Sequence, residues 1–292
     1  MKQPDPDFSL PSTPHKDAAW RLGHDLWICA TPQTPVAEAL DTLFSPLQVV
    51  GELPDITSKE TLRLSLSEPD AAGIRYLRAF DVPLHRITQD AEIVPAVESL
   101  VTHLFARTQR QMQVVHMGMV AWGGRVVLLP GDRGSGKSTL SLWLAQQGAT
   151  YYGDDLIGYD PQEDAFWGLP KAVTLKKGSF DLFPGVTTYQ DPLRGPVRYV
   201  LPQNCELGPA KLDTIVGIVF PEYKPYPGMP QKLQSGWTAL ALVQQLLGGV
   251  EWNDEALHLV ARLTTLPAYS LPFNSLETAT EWIRQVVVGG ET

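Results

Sequence analysis

Hydrophobic positions along the chain change period several times, and each change marks a predicted element. Over residues 18–90 short apolar runs alternate with turn residues. Strands are expected at Asp25–Cys29, Leu47–Val50, Thr61–Leu66 (with Leu62, Leu64 and Leu66 alternating) and Arg86–Thr88. One helix is expected among them, Pro35–Phe44, with Val36, Leu40 and Leu43 on one face. Between Ala91 and Met112 the spacing lengthens: Ile93, Val97, Leu100, Val101, Leu104 and Phe105 form the stripe of an amphipathic helix. Gln113–Trp122 and Arg125–Leu129 flank Gly123-Gly124 and predict a β-hairpin. Val126–Leu129 is apolar at every position, as expected of a strand covered on both faces. Further on, helices are predicted over Lys137–Gln147, Trp237–Leu247, Asp254–Leu263 and Leu276–Val288. Strands are predicted at Thr150–Tyr152, Leu156–Tyr159, Ala165–Leu169, Val173–Leu175, Asp213–Phe220 and Ala268–Phe273.

This pattern divides the chain into three parts. Residues 1–17 carry four prolines and no apolar period, and are expected to be a disordered arm. Residues 18–112 predict a smaller α+β lobe in which no chemistry is concentrated, a candidate for substrate recognition. Residues 113–292 predict an α/β domain that holds the motifs. With 43% hydrophobic residues in 292, the chain can bury a sizeable core. Its 23 Lys and Arg against 32 Asp and Glu give a net charge of −9, which argues against a coat for nucleic acid or anionic membrane. Cys29 and Cys205 are far apart and lack metal-ligand spacing, so neither a zinc site nor a disulfide framework is expected. No apolar run approaches the ~20 residues of a membrane helix, and the N-terminus lacks the apolar stretch of a signal peptide. A cytoplasmic protein is the expectation.

The sequence Gly131-Asp132-Arg133-Gly134-Ser135-Gly136-Lys137-Ser138-Thr139 matches G-x-x-x-x-G-K-[ST] between a predicted strand and a predicted helix. Gly134 and Gly136 allow backbone angles closed to other residues, so that successive amides turn inward around a phosphate. The helix N-terminus adds its dipole. Lys137 supplies a cation for the β- and γ-phosphates, and the Ser138 hydroxyl suits a Mg²⁺ ligand. Residues Asp132 to Thr139 are therefore the expected nucleotide site, with ATP or another nucleoside triphosphate and Mg²⁺ as its occupants.

Asp154 and Asp155 follow the next strand. Paired carboxylates beside a polyphosphate suit two jobs: one holds the metal, the other orients or deprotonates the attacking hydroxyl. The same Gly153-Asp154-Asp155 triplet is also turn chemistry.

His116, the loop at 131–139, Gly148 at the end of the short helix, and Gly153-Asp154-Asp155-Leu156-Ile157 resemble the kinase core of bacterial HPr serine kinase/phosphorylase. They are more similar still to HPr-kinase-related kinases of peptide-modification clusters, including those that phosphorylate serine in lasso-peptide precursors. The resemblance is strong over His116–Lys177 and general over residues 18–112. It implies a phosphoenolpyruvate-carboxykinase-like P-loop kinase core. Carried over by position, Asp154 is the base toward the acceptor hydroxyl, Asp155 and Ser138 hold Mg²⁺, and His116 lies near the transferring phosphate. The implied activity is transfer of the γ-phosphate of ATP to a Ser or Thr hydroxyl of a peptide or small protein. A small-metabolite hydroxyl and a nucleotide-dependent switch are the alternatives. The acidic-Ile-Arg-Gly-Leu-Gly signature of the bifunctional enzyme is absent; Leu169–Lys177 stands there instead, so the resemblance does not extend to the phosphorylase activity or to HPr as substrate.

Other residues carry weaker signals. Without the resemblance, His116 on an apolar strand reads as a core or surface histidine. Lys171, Lys176 and Lys177 form a basic cluster that suits phosphates or an acidic substrate segment, or equally a solvated strand end. Arg133 lies within the loop, and Arg194 and Arg198 suit charge-stabilising fingers or plain surface. Trp122, Trp143 and Trp167 read as packing residues.

Overall fold

The computed structural model describes residues 18–22, 26–49, 61–79, 82–108, 112–246 and 254–289; the expected arm at 1–17 lies outside these. The chain is mixed α/β with several sheets. It opens with β1 (Ala18–Leu22), β2 (Leu26–Ala30), α1 (Pro35–Phe44), β3 (Gln48–Val49), β4 (Thr61–Leu66), β5 (Arg75–Ala79), β6 (Val82–Ile87) and α2 (Ile93–Thr108). Thr34 caps α1, its hydroxyl accepting from the Ala37 N–H at 3.3 Å, and Pro35 fits the first helical position, where its missing N–H costs nothing. The six strands form one sheet in the order β3-β1-β2-β4-β5-β6.

There follow β7 (Gln113–Val115), β8 (Met117–Trp122), β9 (Arg125–Pro130), α3 (Lys137–Gln146), β10 (Thr150–Gly153), β11 (Ile157–Asp160), β12 (Ala165–Gly168) and β13 (Val173–Lys176). The remainder is β14 (Thr188–Asp191), β15 (Gly195–Val200), β16 (Ala210–Lys211), β17 (Ile215–Tyr223), β18 (Gln231–Lys232), α4 (Ser235–Gln245), α5 (Asp254–Leu263), β19 (Ala268–Phe273) and α6 (Leu276–Trp282). A second six-stranded sheet, ordered β10-β8-β9-β17-β19-β18, carries the glycine loop at 131–136, with β9, β17 and β19 parallel. Val127 and Leu129 pack on one face against Leu140 and Leu144 of α3 and Ala279 of α6. Val126 and Leu128 pack on the other, with Leu242 of α4, Leu259 of α5 and Phe166 of β12. The uniformly apolar run of β9 is thus explained by layers on both sides.

The β8–β9 hairpin forms as expected, Gly123 and Gly124 both taking positive φ in its turn. The expected single strand over Gln113–Trp122 does not. It divides at His116: β7 pairs with β11 in a four-stranded sheet, while β8 joins the sheet that carries the glycine loop. Alternation alone gives no sign of this, because both halves are buried. The expected strand at Asp213–Phe220 starts at Ile215 and runs on to Tyr223, Asp213 lying in a 3-10 turn. The last helix changes to π geometry over Ile283–Val288, and α4 starts at Ser235 and ends at Gln245; Leu247 lies outside the described residues. Strands β14 and β15, which the pattern does not mark, pair with β13 in a three-stranded sheet.

Residues 18–108 and the rest of the chain share a core. Trp20, Phe44, Leu77, Val97 and Phe105 pack in the same cluster as Leu156, Leu169, Ala172, Val197 and Tyr199. The Ala172 N–H donates to the Leu43 carbonyl at 2.7 Å, joining α1 to the segment before β13. Trp122 and Trp143 are partly buried against the cluster under α3.

Candidate active site

The loop from Gly131 to Gly136 leaves the end of β9 and enters α3. Gly134 and Gly136 have φ of 85° and 88°. At Gly136 a side chain meets both conformational strain and a wall, since a Cβ there would lie 2.9 Å from Phe273 Cζ and 3.2 Å from Tyr223 Cβ. The loop is held from outside: the Tyr223 N–H donates to the Ser135 carbonyl at 2.9 Å, and Gln245 Nε2 donates to Asp132 Oδ1 at 3.0 Å. At its far end α3 closes with Gly148 at φ 91°, where the Gly148 N–H donates to Ala145 and the Ala149 N–H to Leu144. Its N-terminus has no side-chain cap. Lys137 is 4% exposed, and its ammonium has no hydrogen-bond partner; the buried Ser135 hydroxyl has none either. Uncapped amides, an orphaned buried cation and an orphaned hydroxyl around one glycine loop form a cradle that fits a polyphosphate.

Asp154 and Asp155 occupy the bend after β10, and their environments differ sharply. Asp154 is 2% exposed. Its Oδ1 has no partner and lies against Gly118 of β8, where a Cβ would come within 3.3 Å of it. Burial, and then the Asp155 charge, push its carboxyl above the usual range, against the pull of Lys137, Ser138 and Lys171. Asp155 takes φ 75°, a left-handed angle that Asp tolerates better than most residues, and its side chain is 33% exposed. Burial opposes its ionisation. The His116 hydrogen bond and the charges of Lys171 and Lys137 outweigh that and hold it far below the usual carboxylate range. His116 Nε2 lies 3.4 Å from Asp155 Oδ1 and Lys171 Nζ 3.6 Å from Oδ2, so each oxygen faces a nitrogen.

Among the described residues no group of three or more His, Cys, Asp or Glu side chains is placed to hold a metal ion. Mg²⁺ in nucleotide sites takes few protein ligands and several phosphate and water oxygens, so one serine hydroxyl and one carboxylate beside the cradle fit its needs.

Behind Asp155 the charges continue inward. Lys171 is 1% exposed and donates to Glu98 Oε1 of α2 at 2.9 Å. Glu98 Oε2 accepts from Arg194 Nη2 at 2.7 Å, and Arg194 Nε donates to Asp191 Oδ2 at 2.5 Å. Burial disfavours the charged Glu98, but Lys171 and Arg194 more than compensate and lower its pKa; Asp191 is lowered as well, by the Leu193 and Arg194 N–H groups and the Arg194 side chain. These folded values lie below the unfolded ones near pH 4. The stabilisation is therefore full above about pH 5 and disappears as the pH falls through the unfolded range toward the folded values. Asp154, shifted upward, acts in the opposite sense but as one group against three. Thermal unfolding followed from pH 7 to pH 3 is expected to show a steep acid loss of Tm. Glu98→Gln is expected to lower stability at pH 7 by about 1–3 kcal/mol and to flatten the acid slope.

The structure thus gathers Lys137, Ser138, Asp154, Asp155 and His116 in one place. It separates the predicted basic cluster: Lys171 is interior, whereas Lys176 and Lys177 are exposed at the end of β13. Lys171 is no solvated strand end, because Glu98 supplies a buried counter-charge. Arg194 is tied to Glu98 and Asp191. Arg198 donates to the Phe180 and Phe183 carbonyls and lies 4.2 Å over the Phe180 ring, so neither arginine is a free finger. Arg133 and Asp132 are exposed on the loop. Thr139 and Ser179 share a hydroxyl–hydroxyl bond of 2.6 Å, which fastens α3 to the turn after β13. Two contributors escape the motif search. Glu98 sits at the spacing of Val94, Val101 and Phe105, and Gln245 follows Thr238 and Leu242 on the buried side of α4; a polar side chain on an apolar stripe demands a partner, and that was their signal. The Gln245 carbonyl also accepts from the His116 N–H at 2.8 Å, so one residue steadies both the loop and the histidine.

No family model matches the chain, and no curated protein is significantly similar to it. Among solved structures, the Hpr(Ser) kinase/phosphatase from Coxiella burnetii aligns with 61% of this chain and 89% of its own at 15% identity and a TM-score of 0.28. At that identity and score the match decides neither fold nor activity. No helix among the described residues is long and apolar enough to cross a membrane.

Proposed function

We propose that the chain is a Mg²⁺·ATP-dependent phosphotransferase whose acceptor is a hydroxyl, in our reading that of a Ser or Thr in a peptide or small protein. The carrying observation is the buried, unpartnered Lys137 ammonium in a glycine cradle, electrostatically coupled to two carboxylates of opposite environment. Lys137 and the first amides of α3 bind the phosphates and meet the charge that grows on them during transfer. When bound, Mg²⁺ neutralises the β- and γ-phosphate oxygens.

The two acidic roles exchange relative to the positional carry-over. Asp154 is buried on Ser138, which makes these two the residues that would hold the metal. Asp155 is the carboxylate that solvent, and therefore an acceptor, reaches. Reach ranks before basicity in choosing a general base, so Asp155 orients the hydroxyl and takes its proton, while His116 fixes the carboxylate from the side. The strongly lowered pKa of Asp155 makes it an orienting group first and a proton acceptor late in transfer.

The test is incubation with γ-labelled ATP, a panel of peptides and small proteins, and free serine and sugars as competing acceptors. Asp155→Asn is expected to lower transfer by about 10²–10⁴-fold with nucleotide affinity retained. Transfer that survives this substitution while Asp154→Asn abolishes it would restore the first assignment. Labelling of small molecules alone would move the acceptor class to metabolites. ATP hydrolysis stimulated by a partner with no labelled acceptor would replace the kinase with a switch.

A further inference from the structure

The phosphate loop and the carboxylate pair leave one unusual feature unused, the fully buried Lys171. Lysine is seldom buried to this degree, and removing its charge from water is costly even when it is paired. Buried ion pairs are also poor stabilisers compared with apolar packing of the same volume, so stability is a weak reason for the arrangement. Its geometry is directional. The ammonium sits between Glu98 Oε1 at 2.9 Å and Asp155 Oδ2 at 3.6 Å. Glu98 cannot turn away: its second oxygen is held by Arg194, Arg194 is held by Asp191, and Asp191 Oδ1 accepts the Leu193 and Arg194 N–H groups at 2.8 Å. The backbone at Lys171 is fixed as well, its N–H donating to Leu169 and the next N–H donating to Leu43.

Asp155 has an exposed edge, and it takes a left-handed backbone angle at a bend. Such a side chain would sample several rotamers unless both oxygens were engaged. His116 engages one and Lys171 the other.

We infer that Lys171, aimed by Glu98 of α2, is the positioning residue that sets the orientation of Asp155 toward the acceptor. Helix α2 then belongs to the phosphotransfer machinery, although it lies outside the part of the sequence that carries the motifs. The inference rests on the reading of Asp155 given above.

The assay uses the full chain, with Mg·ATP hydrolysis as the transfer reaction to water and a fluorescent ATP analogue (mant-ATP) for binding. Lys171→Met and Glu98→Gln are each expected to lower kcat about 10–100-fold, the loss that follows from misplacing a reacting group by roughly an ångström. The affinity for mant-ATP is expected to stay within about 3-fold, because neither residue belongs to the phosphate cradle. Lys171→Arg is expected to recover part of the rate, and the Lys171→Met/Glu98→Gln double variant to be no slower than Lys171→Met alone, since the two act in series. If Lys171→Met does not fold, Glu98→Gln and Lys171→Arg decide the question. Unchanged kcat in the folded variants, or a kcat loss matched by an equal loss of mant-ATP affinity, overturns the inference. Asp155→Asn in the same assay separates the two levels. If it abolishes hydrolysis while the Lys171 and Glu98 variants do not, the positioning role alone is wrong. If it leaves hydrolysis intact, the reading of Asp155 and the inference both fall.

Discussion

Lys137→Met is expected to lower turnover of Mg·ATP by about 10²–10³-fold or more, the cost of losing one preorganised donor at the site of developing charge. Methionine keeps the length and most of the volume of the lysine stem, so α3 and its packing on β9 should persist. What disappears is the ammonium, which is buried and has no hydrogen-bond partner. A cation held in that state is pre-positioned for an anion and requires little rearrangement when phosphate arrives. The loss should also appear without catalysis. A ligand at 100 times its Kd stabilises the folded state by about 2.7 kcal/mol. The Tm rise produced by Mg·ATP in the native chain is therefore expected to shrink or vanish in Lys137→Met. Turnover within about 10-fold of the native chain, with the Tm rise intact, would remove Lys137 from the phosphate site.

Gly168→Ala is expected to have the largest structural effect of any single methyl group considered. A Cβ at Gly168 would overlap the Tyr152 carbonyl oxygen and crowd the Gly153 nitrogen. These are backbone atoms and cannot rotate aside, so β10 and β12 must separate. Overpacking a core with flexible neighbours costs about 1–3 kcal/mol, and a rigid neighbour puts this case at or above the upper end. At roughly 2–4 °C per kcal/mol for a chain of this order of size, Tm should fall by about 6–12 °C. Because β10 runs directly into Asp154 and Asp155, turnover measured well below the Tm is expected to fall about 10²-fold as well. Gly178→Ala is the matched control: a Cβ there meets nothing within 4 Å, and no measurable change is expected. Equal Tm values for the two variants would show that the crossing of β10 and β12 is not tight.

The conformation of the glycine loop was legible in the sequence because two glycines at positive φ and a helix start stand within nine residues. The hairpin at Gly123-Gly124 and the doubly covered β9 were legible for the same reason, each being encoded in a short window. The contrasting surroundings of the two carboxylates were not. Asp154 and Asp155 are adjacent and chemically identical, and what divides them is Gly118, Ser138, His116 and Lys171, which come from three other stretches of chain. Lys171 read as one of a cluster of three lysines, a phosphate clamp or a solvated strand end, because its counter-charge lies 73 positions earlier. The division of residues 113–122 between two sheets was also hidden, since burial on both sides removes the alternation that would have marked it.

The hydrogen bond from Ala172 to Leu43 and the shared core around Phe44, Phe105 and Tyr199 make residues 18–108 inseparable from the rest. A fragment cut at the sequence boundary near residue 112 would bare Leu156, Leu169, Ala172 and Val197 and leave Lys171 and Arg194 charged with no Glu98 between them. Such a chain cannot be trimmed to its motifs or transplanted as a cassette: its smallest folded unit includes the lobe that looks, on sequence alone, like an attachment.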